Sequence, residues 1–297
     1  MTRTVDGLAQ ARRARFAALR PPPSLTVSAW ADAERVLSPE SSGEPGPRAP
    51  YQRGWMDALH EDAEIVVLMT AAQVGKTSVL ENVLAYHIVH APAPILFVSP
   101  TLEMCSAFSK DRLGPLLRDT PALRGKVQDA RVRGSDSSAT LLHKTFPGGR
   151  FTAAGANSAA SLASRPIRLL LCDEIDRWPA QLPGEGDPLA LAIKRTTTFW
   201  DRRIILTSTP TVKGLSRVEH WFSESDQRRF FVPCPAVSIR TPLTGGMSSG
   251  RPIHRRPRAW CVRPAVPRLT MPSGSPCYTL ACGGRRPSPR RASSAFT

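Results

Sequence analysis

The chain has 297 residues, 41% of them hydrophobic and 22% charged, enough for one large domain or two modest ones with a buried core. No run of about 18 apolar residues occurs, which excludes a membrane-spanning helix, and the basic start "MTRTVDGLAQARRARFAALRPPP" lacks the apolar stretch of a secretory signal. A net charge of +16 points to a polyanionic partner, yet 11 of the 40 basic residues lie after residue 235, where Asp, Glu and Lys are absent; the first 235 residues therefore set 29 basic groups against all 24 acidic ones, an excess of only 5. The six cysteines form no ordered framework, as in a reducing compartment.

In chain order, residues 1–20 read as a basic helix stopped by Pro21, Pro22 and Pro23, and "SLTVSAWADAERVL" reads as a second short helix. The Pro/Gly-rich "SPESSGEPGPRAP" (38–50) is a linker, so residues 1–50 form an N-terminal helical segment and folding proper is expected to begin at Tyr51. From there strands and helices alternate. "AEIVVLMT" (63–70) is an apolar, β-branched strand, and "TSVLENVLAYHIVH" an amphipathic helix with Val79, Leu80, Val83, Leu84 and Ile88 on one side. "APILFVSP" (93–100) is a strand and "TLEMCSAFSKDRLGPLLRDT" a single long helix. "GGRFTAAGA", "IRLLLCDE" (167–174), "RRIILTSTP" (202–210) and "RRFFVPC" are further strands. Apolar strands separated by helices predict an α/β fold, a mostly parallel sheet flanked by helices, over residues 51–235.

After Pro235 the periodicity ends. Residues 236–297 are rich in Pro, Arg, Ser and Gly and predict a disordered tail. The tail reads either as a basic arm for nucleic acid or as the shifted-frame translation of a GC-rich gene, and the abrupt change of composition favours the second. Cys105 and Cys172 fall in predicted core elements, and Cys261, Cys277 and Cys282 match no zinc-binding spacing.

Three stretches carry chemistry. "TAAQVGKT" ends in Gly75, Lys76 and Thr77 between a strand and a helix, the context in which backbone N–H groups and a helix N-terminus cradle phosphates, a lysine reaches the β- and γ-phosphates, and a hydroxyl holds Mg²⁺. Thr70 stands where such a loop opens with glycine, and a β-branched residue resists positive φ, so a different entry geometry is expected. "IRLLLCDE" delivers Asp173 and Glu174 at the carboxyl end of a buried strand, Asp173 as a metal carboxylate and Glu174 as the group that orients or deprotonates a water; the plain alternative is an acidic cap after a core strand. "ILTSTPT" ends a third buried strand in Ser208 and Thr209, small hydroxyls that can sense a γ-phosphate. Upstream, Tyr51 and Gln52 in "PYQRGWMDAL" either contact an adenine or pack inside with Trp55.

With these stretches in order, "AAQVGKT", "SPTLEMCSAFSKDRLGPLLRDTPAL", "GANSAASLASRPIRLLLCDEIDRWP", "GEGDPLALAIKRTTTF", "ILTSTPT" and "FFVPCP", the chain from Tyr51 to Pro235 resembles the large subunit of a lambda-type (GpA-like) tailed-phage terminase. The resemblance implies a P-loop NTPase of the ASCE type that binds ATP and Mg²⁺, tolerates Thr70, and uses Gln73, Gly75, Lys76 and Thr77 in its loop. It implies a motor acting on double-stranded DNA with a small subunit, a portal or procapsid, and further copies of itself, in the cytoplasm of a bacterial host and without a membrane. Residues 1–50 are the expected contact for the small subunit. Gln73 stands where some relatives carry an arginine, so Arg165, Arg195 or a neighbouring subunit would supply that charge. The family's nuclease follows "FFVPC", but a tail without Asp or Glu lacks the carboxylates for metal-dependent cleavage. The alternatives are a prophage remnant that binds nucleic acid non-specifically, and a superfamily-2 helicase-like ATPase; "CDEIDRW" is neither of the latter's usual boxes.

Overall fold

A computed structural model of the chain describes residues 25–38, 49–129, 141–162, 165–233, 240–242 and 261–262. Its main sheet contains β1 (Ile65–Thr70), β2 (Pro94–Ser99), β3 (Gln128–Asp129), β4 (His143–Phe146), β5 (Gly149–Gly155), β6 (Leu169–Cys172), β7 (Arg203–Ser208) and β10 (Cys261–Val262). Their order is β10-β1-β7-β6-β2-β5-β4-β3. From β10 through β5 every pairing is parallel; β4 and β3 continue the sheet antiparallel. The helices are α1 (Val27–Glu34), α2 (Pro50–Asp57), α3 (Lys76–Val89), α4 (Leu102–Phe108), α5 (Gly114–Asp119), α6 (Ala159–Leu162), α7 (Pro188–Lys194) and α8 (Arg217–Ser223). None is long and apolar enough to cross a membrane among the described residues.

The central strands are apolar throughout because both faces are covered, and their residues alternate strictly between two cores. On β6, Leu169 and Leu171 enter one core with Ile95 and Phe97 of β2 and the residues of α1 to α5. Leu170 and Cys172 enter the other with Leu96, Val98, Ile204 and Leu206 and the α7 and α8 side. The parallel order places all the carboxyl ends of β1, β7, β6, β2 and β5 on one edge.

The structure corrects four expectations. Folding begins before Tyr51: α1 buries Val27, Trp30 and Ala31 completely, with the Thr26 hydroxyl capping it and Ser28 donating to Asp57 Oδ2 at 2.8 Å. The rest of the expected small-subunit contact, residues 1–24 and 39–48, lies outside the described residues. Helix α3 is therefore not amphipathic. With α1 and α2 packed on its outer side it also buries Glu81 and Asn82, and Arg35 meets Glu81 at 2.5 Å inside the protein. The single helix expected over 101–120 is divided by a π-turn, Ser109–Leu113. Pro115 removes a backbone donor there, and the Ser109 hydroxyl bonds Leu141 O at 2.5 Å instead of facing solvent. Finally, "RRFFVPC" yields β8 (Phe231–Pro233) outside the main sheet. It pairs antiparallel with β9 (Arg240–Pro242), where Pro233 and Pro242 suit a ribbon edge and not a central strand. Apart from β9 and β10, the tail after Pro233 lies outside the described residues.

Candidate active site

The chain leaves β1 at Thr70 and turns into α3 over Ala71–Gly75. Thr70 is fully buried and still in extended strand backbone, so the opening position needs no glycine. The positive φ falls later, at Gln73 (60°) and Gly75 (80°). Gln73 can adopt this conformation as a polar, unbranched residue at modest cost, and Gly75 adopts it freely at the N-cap of α3. The expected obstacle at Thr70 thus disappears because the left-handed turn is made three residues further on.

Tyr51 and Gln52 on α2 buttress the same loop. The Tyr51 hydroxyl and Gln52 Nε2 both donate to Val74 O, at 3.2 and 3.1 Å. The Tyr51 ring packs against Trp55, with centroids 5.0 Å apart, and against Phe230 at 6.1 Å. The packing alternative describes this ring, while the Tyr51 hydroxyl and the Gln52 Nε2 amide brace the loop backbone.

Lys76 is buried to 6% exposure and gathers the three sequence stretches. Its Nζ donates to Ala71 O at 3.1 Å and to Thr209 Oγ1 at 2.7 Å, and lies 3.6 Å from Glu174 Oε1. The topology explains the convergence. β7 lies between β1 and β6, so residues just past the ends of all three strands share one small volume. Thr77, the second residue of α3, is half-buried beside them.

Asp173 continues β6 with its N–H on Val98 O at 2.8 Å, and its Oδ1 accepts from Thr207 Oγ1 at 2.7 Å. Burial, with Glu174 adding to it, pushes the Asp173 carboxyl above its usual pKa, while the Thr207 hydrogen bond and Lys76 act the other way. Glu174 has φ 52° and ψ 48°, a left-handed conformation that costs a non-glycine residue on the order of 1 kcal/mol. Its Oε2 lies 3.4 Å from Arg177 Nε, the guanidinium whose approach to Glu174 sequence reasoning missed. Arg195 is at the wrong end: its carbonyl accepts from Ile167 N, before β6 begins, and Arg165 precedes Ile167 on the same entry side. Ser208 does not join Lys76. Its hydroxyl accepts from Asp176 N at 3.2 Å, so it braces the turn after Glu174.

Cys105 and Cys172 are free and buried, as expected of packing residues. Among the described residues no three His, Cys, Asp or Glu side chains cluster as a metal site. Asp173 and Thr77 offer a carboxylate and a hydroxyl, the sparse hard-oxygen set that fits Mg²⁺ when substrate phosphates complete its shell.

Comparison with known proteins follows the same lines. Residues 42–243 match the family described as phage terminase large subunit gpA, ATPase domain. The large terminase subunit of Enterobacteria phage P21 is 32% identical over 220 residues, covering 72% of this chain and 34% of the relative. That of Escherichia phage lambda is 32% identical over 222 residues, covering 73% and 34%. The chain thus spans about a third of the length of the curated relatives it matches. The crystal structure of the HK97 bacteriophage large terminase is similar in fold, with a TM-score of 0.54 at 16% identity over 67% of this chain and 41% of that one.

Proposed function

This chain belongs to the phage terminase large-subunit gpA family through its ATPase domain, and from that premise we propose that it hydrolyses ATP as the motor part of a DNA-packaging machine. The observation that supports the reading most is the meeting of Lys76 with Thr209 at 2.7 Å and Glu174 at 3.6 Å, residues from three separate stretches of sequence. In this reading the backbone N–H groups around Gln73 and Gly75 and the N-terminus of α3 receive the phosphates, and Lys76 neutralises the β- and γ-oxygens. Glu174 orients the attacking water and accepts its proton. Thr77 and Asp173 hold Mg²⁺, which supplies charge neutralisation on the phosphates when bound. Thr209, already on Lys76, relays the loss of the γ-phosphate into β7.

Double-stranded DNA is the track in this proposal, with a small subunit, a portal or procapsid, and other copies of the chain as partners. The compartment is the bacterial host cytoplasm. No nuclease is assigned to these 297 residues, since no Asp or Glu occurs after residue 235.

The test is ATP hydrolysis by the purified chain with and without double-stranded DNA, beside Lys76→Ala and Glu174→Gln. Lys76→Ala is expected to lose nucleotide binding. Glu174→Gln is expected to keep binding and to lose about 10²–10⁴ in turnover, the usual worth of a positioned general base. Turnover preserved in Glu174→Gln would refute its role.

A further inference from the structure

Two residues beyond Glu174 stands a side chain that the mechanism above does not use. Asp176 is half-buried, and its two carboxylate oxygens bond chain segments far ahead in sequence. Oδ1 accepts from Val218 N at 2.8 Å, in the first turn of α8. Oδ2 accepts from Thr211 N at 3.0 Å and from Thr211 Oγ1 at 3.3 Å, just past Thr209. Its own N–H donates to Ser208 Oγ at 3.2 Å. One residue thus joins the end of β7, the loop after it and α8 to the short turn Ile175–Arg177.

That turn has a strained residue to hold. Glu174 keeps its left-handed backbone only if its surroundings over-determine it. On the amino side Asp173 N is tied to Val98 O, and Trp178 Nε1 reaches back to Asp173 O at 2.9 Å. On the carboxyl side Ile175 is fully buried and Arg177 N bonds Glu174 O at 2.9 Å. Of the groups that clamp this side, Asp176 is the carboxylate, and it links Glu174 with the segment that carries Thr209.

We propose that Asp176 is a positioning residue: it holds the Glu174 turn in register with Thr209, so that the water-orienting group and the phosphate-sensing hydroxyl move as one unit with α8. This rests on the ATPase reading for its catalytic consequence and on geometry alone for the linkage. A residue that merely capped α8 would make the contact with Val218 and nothing more. The two bonds from Thr211 to Oδ2 are what a cap does not need, and the backbone N–H of Asp176 adds the bond to Ser208 whatever its side chain.

The experiment compares Asp176→Ala, Asp176→Asn and Ser216→Ala with the wild-type chain. Ser216 caps α8 by accepting from Glu219 N at 3.1 Å and lacks the hydrogen bonds that tie Asp176 to Thr211 and Val218, so its loss reports the helix cap. Two readouts are taken: steady-state ATP hydrolysis with analogue binding, and amide hydrogen exchange of the segments 172–178 and 208–223. Asp176→Ala is expected to lower kcat at least tenfold with analogue affinity within about threefold, and to speed exchange in both segments together. Asp176→Asn, which keeps one acceptor oxygen, falls between; Ser216→Ala speeds exchange in α8 only and keeps its kcat. Exchange in 172–178 unchanged by Asp176→Ala, or an equal loss of kcat in Ser216→Ala, would overturn the proposal. A wild-type chain that turns over no ATP would refute the ATPase reading, while the exchange of 172–178 would still decide the linkage.

Discussion

Replacing Gly75 with alanine tests the phosphate loop's architecture in two separable parts. The first is backbone. Gly75 sits at φ 80°, where an L-residue pays about 1–2 kcal/mol, of which about 0.5–1 kcal/mol returns through the lower entropy of the unfolded chain. The net backbone cost is about 1 kcal/mol. The second is contact: a Cβ there would overlap Gln52 Nε2 and stand 3.4 Å from its Cδ. Gln52 is a flexible side chain and can rotate away, but doing so gives up its hydrogen bond to Val74 O. Val74 O keeps the Tyr51 hydroxyl, so the carbonyl is not orphaned and the loss stays near 1 kcal/mol. Gly75→Ala should therefore cost about 2 kcal/mol in the wild-type background and about 1 kcal/mol in a Gln52→Ala background. Urea unfolding of the four proteins gives the coupling directly. Equal costs in both backgrounds, within about 0.3 kcal/mol, would show that Gln52 does not lie over Gly75.

Other consequences are open to similar checks. Trp30 is fully buried whereas Trp200 is 91% exposed, so Trp30→Ala should cost about 3–5 kcal/mol and Trp200→Ala less than about 0.5 kcal/mol; equal small effects in denaturant unfolding would remove α1 from the core. His87 is half-buried on α3 with Nδ1 2.8 Å from Val83 O, and desolvation lowers its pKa to about 4. The unfolded chain binds that proton near pH 6.5, so the stability this neutral histidine allows is complete above pH 6.5 and falls by about 3 kcal/mol as pH drops toward 4. His87→Gln should flatten that part of the stability–pH curve, and an unchanged slope between pH 6.5 and 4 would refute the assignment.

Much of the site was open to reading from sequence because it is local. A strand, a loop with Gly-Lys-Thr and a helix are consecutive, and strands that end in Asp173-Glu174 or Ser208-Thr209 announce themselves by a polar pair after an aliphatic run. The parallel sheet followed from apolar strands alternating with helices, since such strands are satisfied only between two helical layers. The resemblance to terminase large subunits rested on the same stretches taken in order.

What tertiary structure decided is what depends on neighbours remote in sequence. Whether Thr70 was tolerable turned on where the loop bends left-handed, and the bend lies at Gln73 and Gly75. Helix α3 reads as amphipathic because Glu81 and Asn82 are polar. Only the packing of α1 and the arrival of Arg35 give Glu81 a partner that permits its burial. Ser208 and Thr209 are adjacent and alike in chemistry, yet strand alternation sends one to the Asp176 turn and the other to Lys76. Sequence by itself determined which residue types gather at the carboxyl edge of the sheet, because strand ends are set by local apolar runs. The strand order, with β7 between β1 and β6, decided which of them touch, because hydrogen bonds and ion pairs depend on distances that chain order does not contain.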